Sequence, residues 1–195
     1  MGAPQHAEGR LTGAGQWPRA EMSVVVLTGF MGTGKSSVGR RLADRLGMVC
    51  VDTDERIEAS AGMSVAAILA TRGESFFQEL EARVLADALR DGAVIVTGDN
   101  TIMDPANEAR MHAAGPVVCL TADVEVIVAR TGVPALVPAP DADERRARIS
   151  RLLAERADVY GRADVCIDTS HRSVDGVVDE IVAYLRRHAG DGDRA

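Results

Sequence analysis

The stretch Gly29-Phe-Met-Gly-Thr-Gly-Lys-Ser36 decides the fold of this 195-residue chain. It fits the pattern G-x-x-x-x-G-K-[ST] completely, and it lies between the apolar run Val24-Val-Val-Leu27 and amphipathic helical spacing over residues 35–46. A strand, a glycine-rich turn and a helix in that order let backbone N–H groups and the helix N-terminus surround phosphate oxygens. The pattern therefore predicts a nucleotide phosphate site, in which Lys35 reaches the β- and γ-phosphates and the Ser36 hydroxyl binds Mg²⁺.

Short Val-rich runs separated by helical patterns indicate the fold class. The five runs are Val24–Leu27, Met48–Val51, Ala93–Val96, Pro116–Leu120 and Val165–Ile167. Strands that are apolar throughout, with helices between them, are typical of a parallel sheet covered on both faces. The sequence therefore predicts an α/β fold, with a five-stranded parallel sheet flanked by helices.

The length predicts one compact domain between two irregular ends. We expect residues 1–21 to be a disordered extension, residues 22–190 to form the domain, and residues 191–195 to be a frayed C-terminus. Within the domain, residues 132–142 contain three prolines, which exclude a regular helix. A long irregular loop in a compact domain is often functional, so we expect a lid there.

Composition limits the class of partner. The chain has 22 Lys and Arg against 29 Asp and Glu, a net charge of −7. Nucleic-acid binding needs a basic face, and a membrane span needs roughly 18 to 20 apolar residues, which no run approaches. Cys50, Cys119 and Cys166 each lie in an apolar run and are expected to be buried, reduced thiols. We therefore expect a cytoplasmic monomer or weak homo-oligomer that binds a small molecule, with no nucleic acid and no membrane.

A second motif narrows the function. The chain has no Asn-Lys-x-Asp segment for guanine recognition, and a small kinase with a lid fits better, since a lid excludes water from the reactive γ-phosphate. Asp52-Thr-Asp54 follows the second apolar run, at the sheet edge where ligands bind. Because alternate strand residues share a side, we expect Asp52 at Mg²⁺ and Asp54 at an acceptor hydroxyl. A helix-capping role is the alternative, and the two roles can coexist.

At this point the ordered set of motifs resembles the shikimate kinase family. The matching stretches are Gly29–Ala43, Asp52-x-Asp54, Ser64–Leu69 with Gly73-Glu74, Arg130-Thr-Gly132, Arg156 with Tyr160, and Ile167-Asp-Thr169. The resemblance extends from about Val24 to His188. It implies a P-loop kinase with a mobile lid that transfers phosphate from MgATP to a ring hydroxyl.

The resemblance also implies site residues. Lys35 would stabilise the transferred phosphoryl group, Asp54 would hold the acceptor and could accept its proton, and Ser36 and Asp52 would bind Mg²⁺. The expected nucleotide-binding residues are Gly32, Thr33, Gly34, Lys35, Ser36 and Ser37, with Arg130 and Arg172 beside the adenine. The expected acceptor-binding residues are Asp54, Gln78, Gly98, Asp99, Asn100 and Arg156.

Three departures from the family pattern fall at the acceptor and the lid. Gln78 stands where the family places an Arg that grips the shikimate carboxylate, Asp99-Asn100 replaces two glycines of a triple glycine, and Val137-Pro-Ala-Pro140 replaces an Arg-Pro-Leu-Leu segment. Losing one Arg and gaining Asp99 changes the local charge by −2, which disfavours an anionic acceptor. We expect a neutral or amine-bearing acceptor: a polyol, an aminocyclitol, or a hydroxy amino acid with its carboxylate on Arg156 and its ammonium on Asp99.

Several alternatives stay open from the sequence. If Asp99 turns away and Arg156 suffices, the chain is a weakened shikimate kinase. Asp99 and Asn100 also suit a simple turn, since both residue types tolerate left-handed backbone. An Arg within residues 145–148 could replace the missing lid Arg, or these side chains could face solvent. The lost lid Arg fits a nucleotide-binding regulator without transfer activity, whereas an acceptor-facing Asp54 favours an enzyme.

Overall fold

Five parallel strands form a single sheet in the computed structural model, which describes residues 24–90, 92–131 and 141–188. The strands are β1 (Val25–Gly29), β2 (Val49–Asp52), β3 (Ala93–Val96), β4 (Val117–Thr121) and β5 (Val165–Asp168). Their order is β2-β3-β1-β4-β5, and each neighbouring pair is parallel. The predicted α/β class is confirmed.

Eight α-helices connect and cover these strands within the described residues. They are α1 (Lys35–Leu46), α2 (Thr53–Ala61), α3 (Val65–Arg72), α4 (Glu74–Ala88), α5 (Pro105–Ala114), α6 (Val124–Arg130), α7 (Ala142–Tyr160) and α8 (Val174–His188). One turn of 3₁₀ helix, Thr101–Met103, lies between β3 and α5. No helix among the described residues is long and apolar enough to cross a membrane.

The two faces of the sheet carry separate apolar cores, which explains why the strands are apolar throughout. Val26 on β1 packs in one core with residues of α4, α5 and α7, whereas Leu27 packs in the other with Leu42 of α1 and Ile181 of α8. Both β1 side chains are completely buried. Burying a Val or Leu side chain contributes about 1.5–3 kcal/mol, so the central strand anchors both layers.

The turns after the neighbouring strands β2, β3 and β1 all lie at the carboxyl edge of the sheet. Because β1 is central and all strands are parallel, the phosphate loop, Asp52 and the turn at Gly98 meet at this edge. Ligands of open α/β sheets bind in the crevice there. The topology thus positions the predicted site residues together.

The irregular segments predicted from the sequence lie mostly outside the described residues. This holds for the extension at 1–21, the end at 191–195 and the expected lid except its last two residues. Asp141 Oδ1 accepts a hydrogen bond from the backbone N–H of Glu144 at 2.8 Å, and α7 begins at Ala142. The last residue of the predicted lid, Ala142, is therefore the first residue of α7.

The prediction that all three cysteines are buried is wrong for one of them. Cys119 is buried and Cys50 is half-buried, but Cys166 is exposed because β5 is an edge strand with one neighbour only. Asp123 stands at the N-cap position of α6 without a side-chain capping bond. Its carboxylate instead lies 3.6 Å from His171 Nε2.

Candidate active site

The phosphate loop between β1 and α1 has a backbone that requires glycine. Gly32 has φ +77° and Gly34 has φ +91°, in the left-handed region that side chains disfavour. Thr33 Oγ1 donates to the carbonyl of Phe30 at 2.7 Å and closes the turn. Gly34 is the N-cap of α1 and provides no side-chain cap, so the helix N-terminus is available to an anion.

Lys35 and Ser36 make contacts within this loop and with β2. Lys35 Nζ donates to the carbonyls of Gly29 at 2.8 Å and Phe30 at 3.1 Å. Burial lowers the pKa of Lys35, although the charges of nearby carboxylates oppose that effect. Ser36 Oγ donates to Asp52 Oδ2 at 2.9 Å, so the two predicted Mg²⁺ ligands are adjacent.

Asp52 and Asp54 are brought together by a helix start, and not by strand alternation as we predicted. β2 ends at Asp52, whose Oδ1 accepts from the backbone N–H groups of Asp54 at 3.1 Å and Glu55 at 3.4 Å. Asp54 lies in the first turn of α2, and its Oδ1 is buried with no hydrogen-bond partner. Burial, together with the charges of Asp52 and Asp99, raises the pKa of Asp54 to about 6. The capping and site positions therefore coexist.

A cavity of about 420 Å³ opens above the phosphate loop. Its lining residues are Met31, Gly32, Gly34, Lys35, Ser36, Ser37, Asp52, Asp54, Val96, Thr97 and Arg130. Hydroxyl and carboxylate oxygens are the ligands that Mg²⁺ prefers. The buried Oδ1 of Asp54 has no hydrogen-bond partner, and a ligand hydroxyl would supply one. The N-terminus of α1 has no side-chain cap, and a phosphate group would supply its acceptors. The residues present thus fit a nucleotide phosphate chain with Mg²⁺.

A smaller cavity of about 210 Å³ lies beside the loop, and both residues predicted to flank the adenine line it. Arg130 donates to the carbonyl of Thr169 at 2.8 Å, to its Oγ1 at 3.0 Å and to the carbonyl of Gly32 at 3.3 Å. Arg172 is paired with Glu180 of α8. Thr169 Oγ1 also donates to the carbonyl of Thr33 at 2.9 Å. We assigned no role to Thr169 from the sequence, although it closes the last matching stretch.

Asp99 and Arg156 form an ion pair on the acceptor side. Arg156 Nη1 donates to Asp99 Oδ2 at 2.9 Å, and the side chains are only 13% and 23% exposed. The guanidinium also lies over the Phe30 ring, 5.1 Å from its centroid, and Tyr160 Oη donates to the carbonyl of Asp99 at 2.9 Å. The alternative in which Asp99 turns away is therefore wrong.

The segment at Asp99 and Asn100 does not use the left-handed backbone that both residue types tolerate. Asn100 has φ −98°, and no residue other than glycine has a positive φ in the described ranges. Gly98 needs its lack of a side chain for a different reason. A Cβ there would lie 2.9 Å from Asp54 Oδ1 and 3.2 Å from Glu81 Oε1. The absence of a side chain at Gly98 thus leaves room for the carboxylates of Asp54 and Glu81 on either side of it.

A cavity of about 550 Å³ lies beyond the ion pair. Its lining includes Gln78, Asn100 and Arg156, three of the predicted acceptor residues. Gln78 is exposed, and its Nε2 lies 3.4 Å from Glu74 Oε1. Because its amide is neutral, it adds no positive charge to the cavity. Four carboxylates line the same cavity: Glu74, Glu81, Asp104 and Glu155. The sequence-based charge count missed these four residues, because only the fold brings α4, α7 and residue 104 together.

Arg146, one of the arginines considered as a replacement for the lid Arg, is engaged elsewhere. It donates to Glu125 Oε1 at 2.5 Å and to Asp143 Oδ1 at 2.7 Å. The contact with Glu125 joins α7 to α6 at the surface, whereas the contact with Asp143 lies within α7. They agree with the alternative in which this side chain faces solvent.

Comparisons with known proteins agree with this geometry. The family model described as shikimate kinase matches residues 31–186. The shikimate kinase of Geobacter metallireducens is 42% identical over 162 residues, covering 83% of this chain and 90% of the relative. The shikimate kinase of Thermus thermophilus is 39% identical over 167 residues, covering 85% and 91%.

Solved structures give the same result. Shikimate kinase from Acinetobacter baumannii in complex with shikimate superposes with a TM-score of 0.79 at 28% identity, covering 85% of this chain and 94% of that one. Shikimate kinase from Aquifex aeolicus gives 0.72 at 29% identity, covering 85% and 98%. These matches are to kinases and favour an enzyme over a regulator without transfer activity. The chain belongs to the shikimate kinase family, and is thus a small-molecule kinase that uses ATP and Mg²⁺ to phosphorylate a hydroxyl.

Proposed function

We propose that this kinase phosphorylates a hydroxyl of a small metabolite that is neutral or carries an amine, and not a simple anion such as shikimate. The observation that carries the proposal is the ion pair between Asp99 and Arg156. Arg156 is the one cation among the described residues that line the acceptor cavity, and Asp99 already neutralises it. Gln78 supplies no charge in place of the Arg of the family pattern.

An anionic acceptor would have to compete with Asp99 for the guanidinium. Hydrogen bonds to charged groups contribute about 1.5–3 kcal/mol, so displacing Asp99 would cost a comparable amount. The carboxylates of Glu74, Asp104 and Glu155 line the same cavity and add repulsion. A neutral hydroxyl or an ammonium group meets no such penalty.

The residues around the phosphate loop would divide the remaining work. Bound MgATP supplies the phosphoryl group together with the cation that balances its charge. The backbone of the loop and Lys35 would bind the phosphates, and Ser36 with Asp52 would hold Mg²⁺. Asp54, whose Oδ1 lacks a partner, would accept the hydrogen bond of the acceptor hydroxyl and orient it.

Shikimate itself is the second candidate acceptor. It is favoured by the relatives, which are 37–42% identical and named shikimate kinases, and by the neighbour from Acinetobacter baumannii that holds shikimate. In that case Asp99 would have to release Arg156 when shikimate binds.

A substrate panel separates the two candidates. We would compare kcat/KM for shikimate, scyllo-inositol, scyllo-inosamine and L-homoserine in the wild type and in Asp99→Gly with Gln78→Arg. The matched control is Glu79→Arg, which makes the same charge change of +2 at an exposed position of α4 outside the cavity. Shikimate as the best wild-type substrate would refute the proposal. Shikimate turnover that rises in the double variant, and not in the control, would support it.

A further inference from the structure

We propose that Glu81 binds an ammonium group of the acceptor, so that the substrate is an amino alcohol whose amine lies one or two carbon atoms from the phosphorylated hydroxyl. This inference rests on the proposed function and selects one of its two acceptor classes.

Glu81 is a buried carboxylate that has no cation partner among the described residues. Its residue is 4% exposed, and its contact within the protein is a hydrogen bond from Thr101 Oγ1 to Oε1 at 2.7 Å. Within the parts of the chain that the structure describes, no Lys, Arg or His lies within ion-pair distance of Glu81. Buried carboxylates are costly unless a cation or several hydrogen bonds compensate them. Glu81 also lines the 550 Å³ cavity, so a ligand can supply the missing cation.

The departure at residue 78 explains why the cation is absent. Gln78 precedes Glu81 by three residues on α4, and residues at that spacing are neighbours on a helix surface. The family pattern has an Arg there, which could neutralise Glu81. Gln78 instead approaches Glu74. The substitution therefore removes a protein cation from the cavity and leaves the carboxylate in place.

The position of Asp54 defines the shape of the ligand. Asp54 Oδ1 and Glu81 Oε1 lie 2.9 and 3.2 Å from one point, the Cβ position at Gly98, so they are at most 6.1 Å apart. Hydrogen bonds of about 2.7–3.0 Å at both ends leave space for a hydroxyl and an ammonium on carbon atoms one or two apart. With the hydroxyl on Asp54, the ammonium would reach Glu81.

The charges that face Glu81 favour a cation over a neutral group. Asp54 of α2, Asp99 after β3 and Asp104 before α5 all act on it, and together with burial they raise the pKa of Glu81 to about 7. Arg156 of α7 is neutralised by Asp99. A bound ammonium would pair with Glu81 and expel its proton, whereas a neutral hydroxyl would leave the proton in place.

Two matched pairs of acceptors test the inference: scyllo-inosamine against scyllo-inositol, and 2-amino-1,3-propanediol against glycerol. In each pair, the amine carries one ammonium group at the position where the alcohol carries a hydroxyl. We expect the wild type to have a KM roughly 10- to 100-fold lower for at least one amine than for its matched alcohol. Glu81→Gln should remove that difference without changing the KM for ATP, and the exposed control Glu79→Gln should retain it. If neither amine is preferred to its alcohol, the inference is wrong.

The result also separates this inference from the proposed function. If shikimate is the best substrate, the proposed function fails. If the kcat/KM values of the alcohols and the amines all exceed that of shikimate but do not differ from each other, only the role proposed for Glu81 is wrong. Thr101→Val gives a second variant, which retains the carboxylate and removes its hydroxyl donor, and it should also weaken the preference for the amine.

Calorimetry provides a readout other than turnover. Titrating the amine, with a non-hydrolysable ATP analogue present, in two buffers of different ionisation enthalpy measures the protons released on binding. The wild type should release part of a proton near pH 7, and Glu81→Gln should release less. Equal proton release in the two proteins would contradict the assignment to Glu81.

Discussion

Replacing Glu81 with Gln should stabilise the folded protein at alkaline pH and have little effect near pH 4. Burial is the main cause that raises the pKa of Glu81 from 4.5 to about 7 in the folded chain. Between these two pH values the unfolded chain has lost the proton that the folded chain retains. The free energy of unfolding therefore falls as the pH rises from about 4.5 to about 7. Above about pH 8, Glu81 is ionised in both states and adds no further pH dependence.

The size of this effect follows from the same shift. One pKa unit corresponds to about 1.4 kcal/mol, so Glu81 destabilises the wild type by about 3 kcal/mol above pH 8 relative to pH 4. Gln has the same shape, carries no proton to lose, and its amide oxygen can still accept from Thr101 Oγ1. The variant should therefore be more stable than the wild type by about that amount at pH 8.

Urea denaturation of both proteins at pH 5, 6, 7 and 8 measures the difference directly. The slope with urea should be the same in both, which shows that the exposed area on unfolding has not changed. Glu79→Gln, at an exposed position of the same helix, controls for the loss of one charge. If the pH dependence of Glu81→Gln runs parallel to that of the wild type, the argument from burial is refuted.

Three further predictions concern the phosphate site and the core. Lys35→Ala should abolish turnover or weaken ATP binding, measured by calorimetry, and unchanged affinity with unchanged activity would contradict the assignment of the loop. Asp54→Asn should lower kcat by roughly 10²-fold or more with the Kd for ATP unchanged, while near-normal turnover would reduce it to a helix residue. Gly39→Ala should destabilise the fold by about 1–3 kcal/mol in urea, because its Cβ would lie 2.3 Å from Val96 Cγ2. Wild-type stability in this variant would show that α1 can move away from β3.

The nucleotide half of the site could be predicted from the sequence because its signals are local. Eight consecutive residues define the phosphate loop, and the alternation of short apolar runs with helical patterns defines the sheet. Asp52 lies at the end of β2 beside Ser36, but a helix start and not strand alternation brings Asp54 next to it. The local sequence pattern predicted that these two residues lie close together, but it did not predict the backbone conformation that joins them.

The acceptor half could not be predicted to the same depth because its contacts span the chain. Asp99 and Arg156 are 57 residues apart, and counting charges gave a change of −2 without showing that these two neutralise each other. Glu81 carries no signal as a lone acidic residue in a helix. The role proposed for it rests on its burial and on Gln78, one turn away. Exposure of Cys166 likewise depends on the place of β5 at the edge of the sheet.

The glycine at residue 98 stands between two cavities built from different parts of the chain. The phosphate loop, α1 and the junction of β2 with α2 surround most of the donor side, whereas α4, the turn after β3 and α7 surround most of the acceptor side. Natural selection can therefore alter the acceptor half without disturbing the donor half. The proposed change of acceptor rests on a few positions such as Gln78 and Asp99, and substitutions at so few positions barely change the overall sequence identity to relatives.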